Sequence, residues 1–173
     1  MLIVAATERE LAHVRRFETF CCGVGPVEAA LGTARALAER APDAVLHIGI
    51  AGARAIEPLS VVLGSASVYE DAAGPLVASR VEPDASLLDR VRAALPEARV
   101  LPIGTSARVG GTSACEVEGM EGFGVLRACA RAGVPAVELR VISNAIAEPD
   151  RAKWRFEEAF ERLGAALDRL DVV

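Results

Sequence analysis

At 173 residues with 52% hydrophobic content, the chain can bury a sizeable core and fits a single domain over residues 1–173. A formal net charge of -5 offers no electrostatic hold on nucleic acid or an anionic membrane, so neither is expected as a partner and a small molecule is. Lys153 is the sole lysine among 19 basic residues, an arginine bias compatible with genome composition or with heat adaptation.

The chain opens on an apolar run, residues 1–6, that meets Glu8 and Arg9 at once and carries no basic leader. It reads as a first core strand rather than a signal peptide, and a cytoplasmic location is expected. A short helix is predicted over 11–16, a second strand over 17–22, and then a Gly23-Val24-Gly25-Pro26 turn into a long helix with Pro26 in its first turn. That helix places Val27, Ala30, Leu31, Ala34, Leu37 and Ala38 on one face and ends near Pro42. Residues 44–50 read as a strand buried on both faces, followed by a tight turn at Ala51-Gly52-Ala53. Further strands are predicted over 63–71 and 76–80. Asp84 caps a helix bearing Leu87, Leu88, Val91 and Leu95, and 99–104 returns to the sheet. A helix over 123–131 turns Leu126, Cys129 and Ala130 inward, and Gly133-Val134-Pro135 stops it before a buried strand over 136–142. Asp150 is expected to cap the last helix, whose inner stripe is Phe156, Ala159, Phe160, Leu163, Ala166, Leu167 and Leu170. This alternation specifies an α/β layered domain with a mostly parallel sheet.

Cys21, Cys22, Cys115 and Cys129 form no Cys-x-x-Cys pair, and the adjacent pair points to opposite faces of a strand, so they read as buried thiols. His13 and His47 stand too far from other ligand types for a metal site. Four loops can meet at one end of the sheet, the edge where α/β proteins bind ligands. Thr7-Glu8-Arg9-Glu10 supplies carboxylates that serve either a helix dipole or a ligand. Gly23-Val24-Gly25 is either a plain turn or a row of backbone N–H groups aimed at a ligand; it lacks the third glycine of a dinucleotide fingerprint. Gly49-Ile50-Ala51-Gly52 permits close backbone approach to a sugar or simply a tight bend. Met120-Glu121 opens a helix, and Asn144 lies just past a strand end, where each also has an ordinary structural use.

Together these segments resemble the nucleoside phosphorylase and nucleosidase superfamily. Its hallmarks are an acidic first loop, a Gly-Val-Gly turn, a Gly-x-Ala-Gly loop, a Met-Glu helix start and a strand ending Ile-Ser-Asp or Ile-Ser-Asn. The sequence supplies Glu8 and Glu10, Gly23-Val24-Gly25, Gly49 to Gly52, Met120-Glu121 and Ile142-Ser143-Asn144, nearly end to end. Within that superfamily it is most similar to the futalosine hydrolases, where the Met-Glu-Gly and Ile-Ser-Asn segments precede an element like Asp150 with Lys153-Trp154. The resemblance implies a three-layer αβα sandwich around a mixed, mostly parallel central sheet, with no cofactor, no metal and a homodimer or higher homo-oligomer. It also implies hydrolysis of futalosine to free hypoxanthine, a step of menaquinone biosynthesis. A purine nucleoside phosphorylase, a methylthioadenosine/adenosylhomocysteine nucleosidase and a non-catalytic purine-nucleoside binding protein are the alternatives.

Carried over residue by residue, Glu10 resembles the carboxylate that orients the attacking water. Glu121 resembles the one that accepts from the ribose diol, and Met120 packs beside the sugar along Ile50, Ala51 and Gly52. Asn144 stands where adenine-cleaving relatives carry Asp. Its amide N–H pair suits N7 and O6 of a 6-oxopurine. Ile50 replaces a small hydroxyl residue common in relatives, which favours water over phosphate; Arg54 and Arg108 are the candidate anion ligands or, alternatively, surface charges. The 109–118 interval is short for the family. The wall it builds is expected to involve Thr105, Ser106 or Thr112, or a neighbouring subunit.

Overall fold

The computed structural model describes residues 1–72, 74–110 and 114–170. Eight strands, β1 (Leu2–Ala5), β2 (Glu18–Cys21), β3 (Val45–Ala53), β4 (Val61–Tyr69), β5 (Arg80–Val81), β6 (Arg99–Thr105), β7 (Val117–Gly119) and β8 (Ala136–Ala145), form one mixed sheet. Five α-helices pack on it: α1 (Glu8–Leu11), α2 (Pro26–Arg40), α3 (Ala85–Ala94), α4 (Gly122–Ala132) and α5 (Phe156–Asp168). None of the helices among the described residues is long and apolar enough to cross a membrane.

The sheet is not the open layer of a three-layer sandwich. β3 pairs with β7, β7 with β6, β6 with β4, β4 with β8, and β8 again with β3, so five strands close into a barrel. β1 and β2 extend from β3 on one side, and β5 hangs from β4. Two pairings overturn the sandwich expected from sequence. β7 is only three residues long and falls inside the interval read as a loop, yet it bridges Ala53 of β3 and Ile103 of β6. β8 meets β4 antiparallel, Val141 opposite Val61, on the edge that a sandwich would leave free. The mixed and mostly parallel character survives.

Strand alternation sorts the core into three parts. Val137, Leu139 and Val141 of β8 join Ile3, Leu46 and Leu63 under α3 and α5. Leu2, Val4 and Val45 lie under α2 and α4. Ala51, Val62, Ile103, Val117 and Ile142 fill the barrel itself, as small barrels require. The four cysteines are free thiols, and Cys21 and Cys22 do pack into different clusters. Burial pushes the Cys22 and Cys129 thiols up to about 12.

Several expected boundaries and faces move. The first helix is the single turn Glu8–Leu11, started by Thr7, rather than 11–16. β3 runs straight through the expected turn at Ala51-Gly52-Ala53 with a register shift between Ala51 and Gly52. The 76–80 strand shrinks to Arg80–Val81. α2 buries Ala29, Thr33, Ala36 and Leu37, leaving Val27 and Leu31 64% and 65% exposed. Its small-residue face wins because α4 comes so close: a Cβ on Gly124 would lie 2.4 Å from the Pro26 carbonyl oxygen. Asp150 caps only a 3-10 turn, Arg151–Lys153, and α5 begins at Phe156 with its predicted stripe inward.

Candidate functional site

One pocket of about 290 Å³ opens at the carboxyl end of β1 and β3. All seven residues expected at a site, Glu10, Ile50, Ala51, Gly52, Met120, Glu121 and Asn144, line it. They arrive from four elements, which the barrel brings together.

Glu10 sits at the third position of α1, where a capping box fixes it. Its Oε2 accepts from the Thr7 N–H at 3.0 Å and the Thr7 hydroxyl at 2.9 Å, and Oε1 accepts from the Ile50 N–H at 3.2 Å. Three bonds leave a carboxylate one lone-pair direction for a further donor. Burial raises the Glu10 pKa, with Arg140 opposing and Glu121 reinforcing the rise. The group is therefore a stronger base than an ordinary glutamate.

Glu121 is the N-cap residue of α4, but its side chain caps nothing. Oε1 instead accepts from the Gly25 N–H at 3.1 Å, and Oε2 faces Arg140 Nη2 at 3.6 Å. The Gly23-Val24-Gly25 turn thus spends a backbone N–H on a protein carboxylate. Gly25 holds φ at 93°, a conformation that L side chains rarely adopt.

Asn144 lies within β8, not beyond its end. Its Oδ1 accepts from the Ser143 hydroxyl at 2.7 Å and its Nδ2 donates to the Ala145 carbonyl at 2.9 Å. One of the two amide hydrogens is thereby taken, so this conformation presents a single N–H rather than the expected pair. Gly52 gives it room: a Cβ there would stand 3.1 Å from Nδ2.

Arg140 ties the inner wall together, although no motif singled it out. It is 1% exposed; Nε donates to Glu138 at 2.8 Å, Nη1 to the Ile50 carbonyl at 3.4 Å and Nη2 to His47 Nε2 at 2.6 Å. His47 Nδ1 in turn donates to the Val4 carbonyl at 3.0 Å. Burial, then the Arg140 charge, holds His47 well below the usual histidine range, so it is neutral and accepts through Nε2. Burial alone would lower the Arg140 pKa, but Glu138, Glu121 and Glu10 together raise it and keep the guanidinium charged. Burial raises Glu138 against the pull of Arg140. A guanidinium fits here because Gly49 has no side chain: a Cβ would lie 2.2 Å from Nη1 and 2.7 Å from Glu10 Oε1. The sequence did carry a signal. Glu138 and Arg140 fall two apart in an otherwise apolar strand, which places both on one face.

The remaining wall comes from residues beyond the seven expected at the site. Glu118 lines the pocket and accepts from the Gly110 N–H at 3.2 Å. Val109 and Gly110 occupy the wall expected of Thr105 or Ser106. Thr105 is instead buried against Ser67 and the Phe123 N–H, and Ser106 bonds Asp71; Thr112 lies outside the described residues. Arg54 and Arg108 are not pocket residues: the first donates to the Cys115 carbonyl and the second faces Asp71 at 3.9 Å. Arg9, Arg151, Trp154, Phe156 and Phe160 complete the outer rim. Among the described residues no His, Cys, Asp and Glu cluster is arranged to hold a metal.

Comparison with known proteins gives this arrangement a family. A model of the phosphorylase superfamily matches residues 18–171. The chain is 33% identical to futalosine hydrolase from Streptomyces coelicolor, over 89% of this chain and 78% of that protein. Native futalosine hydrolase of Helicobacter pylori shares the fold with a TM-score of 0.88 at 17% identity, covering 98% of this chain and 95% of that one. A 5′-methylthioadenosine/S-adenosylhomocysteine nucleosidase from Colwellia psychrerythraea, solved with adenine, does so with a TM-score of 0.83 at 18% identity, covering 98% and 94%. The chain belongs to the phosphorylase superfamily of nucleoside phosphorylases and nucleosidases.

Proposed function

We propose that the protein hydrolyses the N-glycosidic bond of futalosine and releases hypoxanthine. The observation that carries this reading is the inner wall: a buried, base-strengthened Glu10 and a second carboxylate, Glu121, share one pocket with the Asn144 amide. The similarity to the Streptomyces coelicolor enzyme supports the same substrate.

In this reading a water occupies the open acceptor direction of Glu10. Glu10 takes its proton as the oxygen attacks the anomeric carbon and the carbon–nitrogen bond breaks toward the base. Glu121 accepts from the ribose hydroxyls and stabilises the cationic sugar, while Met120 packs against the ring. The free Asn144 N–H donates to the departing 6-oxopurine. An amide holds that anion but does not deliver a proton as a carboxylic acid does, so the base is protonated from solvent. Hydrolysis is favoured over phosphorolysis because Arg140 is already bound to Glu138, His47 and the Ile50 carbonyl, and Ile50 brings no hydroxyl.

Free base released from futalosine, inosine and methylthioadenosine, with and without phosphate, tests the proposal. Phosphate-independent hypoxanthine release, fastest from futalosine, is expected. Faster adenine release from methylthioadenosine would overturn the substrate, and phosphate-dependent turnover of inosine would overturn the reaction. No release from any of them would leave a nucleoside-binding protein.

A further inference from the structure

The proposed reaction uses two of the carboxylates gathered around Arg140, and a third has no part in it. Glu138 is fully buried and does not line the pocket, yet its Oε1 accepts from Arg140 Nε at 2.8 Å. Its Oε2 accepts no hydrogen bond among the described residues. The carboxylate is packed under the first turn of α4. A Cβ on Gly122 would lie 2.2 Å from each of its oxygens, so the glycine that follows Met120-Glu121 leaves the space Glu138 fills. The positive end of the helix favours an anion there. Stability does not explain the arrangement, because a buried ion pair is seldom more stable than apolar side chains of the same shape, and β8 is otherwise mostly apolar around it.

The cluster draws Glu10 from α1, Glu121 from the start of α4, Glu138 and Arg140 from β8, and the neutral His47 from β3. Cys22 stands beyond β2 with its thiol protonated, and the uncharged Ser67 hydroxyl faces Glu138 from β4. Three carboxylates therefore surround one guanidinium, and only Glu10 and Glu121 reach the pocket. We propose that Glu138 is a positioning residue for the hydrolysis: it holds Arg140 from behind the pocket and balances its charge, so that Glu10 and Glu121 face the nucleoside with their negative charge undiminished. Arg140 lies close enough to matter, since a single Cβ on Gly49 would stand 2.2 Å from its Nη1 and 2.7 Å from Glu10 Oε1. A guanidinium left without Glu138 would pull harder on both pocket carboxylates. That would weaken the base that takes the water's proton and the anion that faces the cationic sugar. The inference rests on the hydrolytic reading above only for the role of Glu10 as the base.

Carboxyl-carbon NMR of glutamate-labelled protein follows each group without catalysis. As pH falls, Glu10 should take up its proton while Glu138 is still ionised, and in Glu138→Gln the Glu10 midpoint should lie at lower pH. Glu138→Asp keeps the charge and should return most of that shift. In kinetics on futalosine, Glu138→Gln should move the acid limb of kcat/KM to lower pH and lower the plateau of kcat several-fold, with KM nearly unchanged. Protonation of Glu138 before Glu10 overturns the proposal, and that outcome is read on the unaltered protein, with no variant required to fold. A Glu10 midpoint that ignores Glu138→Gln overturns it too. So does a Glu138→Gln protein that loses Tm and kcat at every pH alike, because the ion pair is then structural. If the unaltered protein cleaves no nucleoside, the hydrolytic reading fails while the carboxyl titration still decides whether Glu138 governs Glu10.

Discussion

The inner end of the pocket is held by hydrogen bonds among buried groups, Glu10, Glu121, Arg140 and His47, whereas the outer rim at Val109, Arg151 and Trp154 is partly or fully exposed. The inner groups sit on strands or at the first turn of a helix, and each has a backbone or side-chain partner that fixes one rotamer. Of the rim, Val109 sits on a loop and Arg151 in a 3-10 turn that Trp154 ends, while Arg9, Phe156 and Phe160 sit on α1 and α5. The difference separates the two tasks a nucleoside site must perform: the reacting bond needs groups that do not move, and the far substituent needs a surface that can differ between substrates.

Arg140 is where that contrast breaks most easily. Arg140→Met leaves Glu138, Glu121 and Glu10 facing one another without a cation, a loss of about 3–5 kcal/mol when one partner of a buried ion pair is removed. Thermal unfolding should show a large drop in Tm or no cooperative transition. Arg140→Lys should not repair it, because an ammonium has no planar fork to serve Glu138, Ile50 and His47 at once. A stable, active Arg140→Met would mean that the barrel, not the arginine, holds the inner wall.

Glu10→Gln tests chemistry with less damage to the fold. Loss of the base should lower kcat by about 10²- to 10⁴-fold. Stability should respond to pH as well. Because burial raises the folded-state pKa of Glu10, the unfolded chain releases its proton first, and stability falls as pH rises from the unfolded value through the folded one, then levels off. Urea denaturation across that range should show a shallower fall in Glu10→Gln than in the unaltered protein. An unchanged slope would mean that Glu10 ionises as an ordinary carboxylate. Asn144→Asp comes next, with an expected loss of about ten-fold in kcat/KM for hypoxanthine nucleosides relative to adenine nucleosides. A uniform loss would make Asn144 a strand residue bonded to Ser143 and Ala145 and nothing more.

The same contrast governs how much of the molecule was legible in the sequence. Residues set in a recurring motif could be expected at one site from sequence, and Glu10 behind Thr7, Glu121 after Met120 and Asn144 after Ser143 do line one pocket. The longer strands and helices were readable too, from period and caps, whereas the first helix lies at Glu8–Leu11 instead of 11–16 and the 76–80 strand is only Arg80–Val81. Closure of the barrel was not, because it depends on Val117–Gly119, three residues too few to show a period, and on a long-range antiparallel pairing of β8 with β4. The packed face of α2 was misjudged because larger apolar residues were given the core. A close helix contact needs small ones, and Val27 and Leu31 stay outside. Arg140 was missed because its role exists only once Gly49, His47 and Glu121 have been brought around it from separate elements.

The finest test of the inner wall is Thr7, which belongs to both the fold and the chemistry. Its hydroxyl is the N-cap of α1 and also donates to Glu10 Oε2 at 2.9 Å, a bond that favours the ionised carboxylate. Thr7→Val keeps the shape and removes the donor, at a cost of about 1 kcal/mol for the lost cap. The Glu10 pKa, already raised by burial, should then rise further. The acid limb of the pH profile of kcat/KM should move to higher pH while the plateau above it changes little, and Thr7→Ser should move it back. A cap with no part in the chemistry would lower Tm and leave the limb where it was. Only a hydroxyl that also tunes the base moves both, so the joint shift measures how far the rigidity of the inner end is itself part of catalysis.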